Sequence, residues 1–210
     1  MTPERIAKFH RVVNNRQPDL TVVLENVHDP HNIAAVLRSC DSVGIREIFV
    51  LYTEPQLQTR SLVIGKRTSA GTRKWVDIHL FHDADSCFEN VKKKYTHILG
   101  THLSTESRDL FDLDLTLPTA LVFGNEHDGL SEQALRHCTG NFLIPQAGMV
   151  ESLNISVACA VSLYEAYRQR LTKGYYNAPY RMSSEERDAL FLEYERRSEK
   201  GVKNKKIREE

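Results

Sequence analysis

Short runs of β-branched and aliphatic residues alternate with helix-patterned stretches along most of the chain, and this alternation restricts the fold more than any other feature. Leu20-Thr-Val-Val-Leu-Glu25 reads as a buried strand, Asn26 to His31 as a loop, and Asn32 to Val43 as a helix stopped by Gly44. A strand over Glu47 to Leu51 follows. The order then repeats: strand Trp75 to Phe81, helix Ala84 to Tyr95, strand Thr96 to Thr101, strand Thr119 to Phe123, helix Ser131 to Cys138, strand Phe142 to Ile144, helix Ser152 to Leu171. Strands that alternate with helices and lack a polar face predict an α/β fold, a parallel sheet with helices on both faces.

The ends have a different character. Thr2-Pro3 suits an N-cap and first turn, and Ile6, Phe9, Val12 and Val13 recur at helical spacing up to Asn14-Asn15. Beyond Gly174, Tyr175 to Tyr180 reads as a linker, and Ser183-Ser-Glu-Glu186 has the capping-box form that opens a last helix. The chain therefore divides into an N-terminal helix (1–17), a central domain (18–172) and a C-terminal linker, helix and basic tail (173–210).

With 210 residues, 40% apolar and 27% charged, the chain is long enough to bury a core without staples. Its N-terminus lacks the apolar stretch of a signal peptide and no run is long enough to span a bilayer, so a cytoplasmic protein is expected. Cys40, Cys87, Cys138 and Cys159 form no C-x-x-C pair, and His28-x-x-His31 and His79-x-x-His82 lack the spacing of a zinc helix, so neither a metal site nor a disulfide framework is expected. The formal net charge is zero, which argues against nucleic-acid binding by bulk charge. Locally the balance is broken: Arg60, Lys66, Arg67, Arg73 and Lys74 form a run of five basic residues without an acid, and Arg196, Arg197, Lys200, Lys203, Lys205, Lys206 and Arg208 crowd the C-terminus. Such clusters suit phosphate, or simply a solvated face.

In sheets of this kind ligands bind beyond the carboxyl ends of the strands. Three loops there stand out: His28 to Asn32, Gly124 to Ser131, and Pro145 to Asn154. A dehydrogenase or P-loop reading fails, because no G-x-G-x-x-G follows a strand and Gly65-Lys-Arg-Thr-Ser-Ala-Gly71 has Ala70 where a phosphate loop needs glycine. Ser152 before a long helix reads most simply as its N-cap. Arg38 lies beside the apolar stripe Ile33, Val36, Leu37, Cys40 and Val43, where it either reaches a phosphate or carboxylate or pairs with Asp41 three residues on.

Taken together, Asn32-Ile-Ala-Ala-Val-Leu-Arg38-Ser, Leu121-Val-Phe-Gly-Asn-Glu126-His-Asp-Gly129-Leu-Ser131 and Ile144-Pro-Gln-Ala-Gly-Met-Val-Glu-Ser152-Leu-Asn154-Ile-Ser-Val-Ala resemble the three motifs of the TrmH family of the SPOUT superfamily, the knotted RNA ribose 2′-O-methyltransferases. The resemblance runs from the first helix to the last. It implies a SPOUT-type sheet with a C-terminal trefoil knot, a homodimer, S-adenosyl-L-methionine as cofactor, and an RNA substrate. Arg16 to Asn26 and Lys74-Trp75-Val76 point to the branch that methylates guanosine 18 of the tRNA D-loop. Another tRNA or ribosomal ribose, or an RNA-binding module without turnover, stays open. The resemblance assigns catalysis to Arg38 with Asn32, Glu126, Ser152 and Asn154, and the cofactor pocket to Thr101, Gly124, Ile144, Met149, Ser152 and Leu153. Arg5, Lys8, Arg11 and Arg16, with Arg168, Arg170 and the tail, would hold the RNA.

Overall fold

The computed structural model describes residues 1–58, 71–125, 128–150 and 152–199, with the backbone alone at 208–209. Seven α-helices and eight strands follow in the order α1 (Pro3–Asn14), β1 (Leu20–Glu25), α2 (Pro30–Ser42), β2 (Glu47–Leu51), α3 (Pro55–Gln58), β3 (Asp77–Phe81), α4 (Ala84–Lys92), β4 (His97–Thr101), β5 (Arg108–Asp109), β6 (Thr119–Phe123), α5 (Glu132–Leu135), β7 (Gly140–Leu143), α6 (Ile155–Thr172), α7 (Ser184–Glu199) and β8 (Arg208–Glu209) among the described residues. The strands form one sheet, ordered β5-β7-β4-β6-β1-β2-β3-β8, and every pairing is parallel.

Side chains alternate across a strand, so a sheet buried on both faces needs apolar residues at every position. β1 meets that demand at the centre: Val22 and Leu24 join the cluster beneath α2 and α6, and Val23 joins the opposite one with Phe49, Phe81, Phe88 and Val122 beneath α4. A third, smaller cluster ties the ends of the chain together. Phe9 and Val13 of α1 pack with Met182, Leu190 and Tyr194 around Trp75, whose ring meets Phe9 edge-on at 5.5 Å.

Boundaries moved where caps and packing outweighed pattern. α2 begins at Pro30 because the Asp29 side chain accepts from the His31 amide. Trp75 leaves β3 for the third cluster, and α4 stops at Lys92, so that Tyr95 turns its hydroxyl to Glu47 at 3.0 Å. The Ser183 capping box forms as the pattern predicts: the Ser183 amide donates to Glu186 Oε2 at 2.8 Å and the Glu186 amide to Ser183 Oγ at 3.2 Å. α3 and β5 were not anticipated. Both are shorter than a periodic pattern can reveal.

Candidate active site

At the carboxyl edge of the sheet lies a cavity of about 570 Å³, within the roughly 300–1,000 Å³ typical of small-molecule sites. Its floor follows β6. Gly124 packs so tightly that a Cβ there would sit 2.0 Å from the Gly129 carbonyl, so only glycine fits. Gly129 returns on to it in the left-handed conformation at φ 69°. The turn is closed by amide-to-carbonyl bonds of 3.2 Å in both directions between Asn125 and Gly129, and by the Asp128 amide donating to Asn125 Oδ1 at 2.7 Å.

Thr101 at the end of β4 forms one wall, its hydroxyl donating to the Val122 carbonyl at 3.2 Å. Ile144, Ser152 and Leu153 form another, so five of the six expected cofactor residues line one space. Met149 is the exception. It is fully exposed and outside the lining, although its neighbours Gly148 and Val150 contribute. His102, Leu103 and Gln146 also line the cavity, the first two outside every motif and Gln146 inside the third without a role assigned to it.

Ser152 does not cap α6. The helix starts at Ile155 with Asn154 as N-cap, its Oδ1 accepting from the Ser156 amide at 2.9 Å and the Ser156 hydroxyl at 2.6 Å, which leaves Ser152 in the pocket wall. The other end of that amide, Nδ2, donates to Asn32 Oδ1 at 3.2 Å. The first and third motifs therefore meet side chain to side chain. Behind them, Cys40 and Cys159 face each other where α2 packs on α6, and burial, reinforced by that contact, pushes the Cys40 thiol well above its ordinary range. Such thiols are packing groups rather than nucleophiles.

Arg38 is exposed on α2, two turns beyond Asn32, and is not part of the lining in its own subunit. Its expected neighbour is otherwise engaged: Asp41 pairs with Arg16 at 2.7 Å. Among the described residues the Arg38 guanidinium has no hydrogen-bond or ion-pair partner. Glu126 lies outside the described residues, as do Arg60, Lys66, Arg67 and most of the basic tail.

Two of the expected RNA contacts require correction. Arg16 and Arg170 are wholly buried, and their forks are filled from within. Arg16 donates to the Ile45 carbonyl, Asp41, Tyr194 and the Trp75 carbonyl, and Arg170 to Asp19 at 2.6 Å and the carbonyls of Leu115, Asp19 and Leu117. Neither can meet a phosphate in this fold. Arg5, Lys8, Arg11 and Arg168 are exposed, with Arg5 bonded to Ser198 and Arg168 to Glu165. Arg197 is also occupied within the fold, by Asp77, Glu193 and the Lys74 carbonyl. Among the described residues no cluster of three or more His, Cys, Asp or Glu is placed to hold a metal, and no helix is long and apolar enough to cross a membrane.

Residues 19–164 match the model of the SpoU rRNA Methylase family. The tRNA (guanosine(18)-2′-O)-methyltransferase of Thermus thermophilus is 43% identical over 178 residues, which is 85% of this chain and 89% of the relative. Among solved structures, the Aquifex aeolicus TrmH/SpoU tRNA modifying enzyme superposes with a TM-score of 0.84 at 34% identity, covering 95% of this chain and 98% of its own. The SpoU methyltransferase AviRb from Streptomyces viridochromogenes, solved in complex with AdoMet, superposes with a TM-score of 0.63 at 27% identity over 74% of this chain and 60% of its own. With its motifs gathered at the carboxyl edge of the sheet and this coverage by the family model, the chain belongs to the SpoU methylase family.

Proposed function

We propose that the chain transfers a methyl group from S-adenosyl-L-methionine to the ribose 2′-hydroxyl of guanosine 18 in the tRNA D-loop. The observation that carries this reading is the meeting of the three motifs: a cavity built from the second and third, joined to the first through Asn154 and Asn32. The relative of Thermus thermophilus bears this activity in its name.

The donor set fits the cofactor. The close packing of Gly124 on Gly129 leaves backbone where a side chain would fill the cavity, Thr101 and Ser152 add hydroxyls, and Ile144 and Leu153 add apolar wall. Those five residues would hold it. When bound, it supplies an electrophilic methyl on a sulfonium sulfur. The chain supplies alignment, which accounts for much of the rate in such transfers, and charge at the oxygen. With a pKa above about 12, Arg38 does not serve as a base. Its guanidinium, without a partner among the described residues, stabilises the developing alkoxide and an adjacent phosphate, while Asn32 orients the ribose.

Arg38 stands outside the pocket of its own subunit, and α6, which packs on α2, exposes Val157, Val161 and Tyr164 while burying Leu163. A second copy laid on that face covers the apolar surface and brings a neighbour's pocket to the arginine, so we read the working form as a homodimer. The trefoil knot belongs to the same reading; its support is β7, which follows β6 in the chain yet lies between β4 and β5 in the sheet. Arg5, Lys8, Arg11 and Arg168 remain as phosphate contacts, and the compartment is the cytoplasm, where such a substrate is matured.

The decisive experiment supplies methyl-labelled S-adenosylmethionine and tRNA transcripts with guanosine or 2′-O-methylguanosine at position 18. Label is expected in the first transcript only. Label in both would move the target to another ribose, and binding without transfer would make the chain an RNA-binding module.

A further inference from the structure

Glu25, a residue only 1% exposed, closes β1, and among the described residues no cation pairs with its carboxylate. A buried charge without a counter-ion is costly unless hydrogen bonds hold it. Here both oxygens are held by one residue. Glu25 Oε1 accepts from the Ser131 hydroxyl at 2.6 Å and Oε2 from the Ser131 amide at 2.9 Å. Ser131 is also the N-cap of α5, its hydroxyl oxygen accepting from the Ala134 amide at 3.1 Å.

Ser131 stands two residues after Gly129, whose carbonyl presses against Gly124 on the cavity floor. One end of this floor is fixed by β6; the other is fixed by Ser131. We propose that Glu25 is a positioning residue for the cofactor site, a latch whose carboxylate holds Ser131 and, through it, the return of Gly129 against Gly124. This inference rests on the reading that the cavity takes S-adenosylmethionine. No substrate need touch Glu25, since it acts through Ser131. The choice of glutamate follows from the double acceptor it offers, because Ser131 presents two donors side by side.

The test measures S-adenosylmethionine binding by calorimetry, and KM and kcat with tRNA, for the full chain. Glu25→Ala is expected to raise the cofactor Kd and KM at least tenfold while kcat at saturating cofactor and tRNA affinity stay within twofold. Glu25→Gln keeps one acceptor and recovers most of that loss. Ser131→Ala keeps the amide donor and costs about threefold, and the double variant Glu25→Ala with Ser131→Ala is no worse than Glu25→Ala alone. If Glu25→Ala fails to fold, Glu25→Gln and Ser131→Ala carry the test. A cofactor Kd within twofold of wild type in both of these, additive losses in the double variant, or a fall in kcat without a rise in KM would overturn the latch. Wild-type protein that takes up no cofactor would overturn the pocket assignment itself, a different result from a wild type that binds and a Glu25 variant that binds equally well.

Discussion

The two edges of the parallel sheet treat charge in opposite ways. At the amino edge every buried ion is matched: Asp19 lies between Arg170 and Arg181, Glu47 takes His79, Lys94 and Tyr95, and Arg16 joins Asp41 to three carbonyl and hydroxyl groups. Burial alone would favour neutral Asp19, but Arg170 and Arg181 override it and hold its carboxyl below the usual range. Towards the carboxyl edge stand an open cavity, the exposed Leu103 and Val150, and an arginine on α2 with no partner among the described residues. Saturated ion pairs hold an architecture in place; an unsatisfied guanidinium is available to a ligand. In one sequence both kinds read simply as Arg.

The comparison breaks first at Arg38. Its change to Ala is expected to lower kcat about a thousandfold, equivalent to roughly 4 kcal/mol, with cofactor affinity and melting temperature nearly unchanged. Single-turnover methylation alongside calorimetry checks this, and near-normal turnover would move Arg38 out of the mechanism. The mirror experiment is Arg170→Ala, expected to cost about 3 kcal/mol of stability because it strips a buried partner from Asp19 and frees three carbonyls. Denaturant unfolding reads it directly. In protein that remains folded, cofactor affinity should hold.

Acid sharpens the contrast further. Burial would raise Glu47, yet hydrogen bonds from His79 and Lys94 more than offset it and bring its pKa from 4.5 to about 2. A depressed carboxylate stabilises the fold fully above its unfolded pKa and progressively less as pH falls through the folded one, so on the order of 3 kcal/mol should be lost between pH 4.5 and 2. Glu47→Gln should flatten that part of the stability curve. The smallest expected effect is at the surface: Arg11→Ala should weaken tRNA binding by about threefold and reduce its salt dependence, whatever the tRNA sequence. Filter binding across a salt series measures both.

The regular elements were legible because β1, β2 and β6 carry runs of apolar residues, and the three loops because polar residues interrupt those runs. The functions given to the loops came from family resemblance, since spacing alone left Ser152 as a cap and Arg38 as half of a surface pair. The buried arginines were illegible for a different reason. Arg170 finds Asp19 across 151 positions and Arg16 finds Tyr194 across 178, distances at which local pattern carries nothing. Glu25 did leave a trace: an acid closing an otherwise apolar strand asks for a partner, though not for which one.

Asn154 employs the two halves of its amide on different neighbours, the oxygen at the start of α6 and the nitrogen on Asn32. Aspartate has the same shape and would still begin the helix, but it presents a second acceptor to Asn32. One isosteric replacement therefore keeps the start of α6 while removing the donor that ties it to α2, a separation that no truncation of the side chain provides.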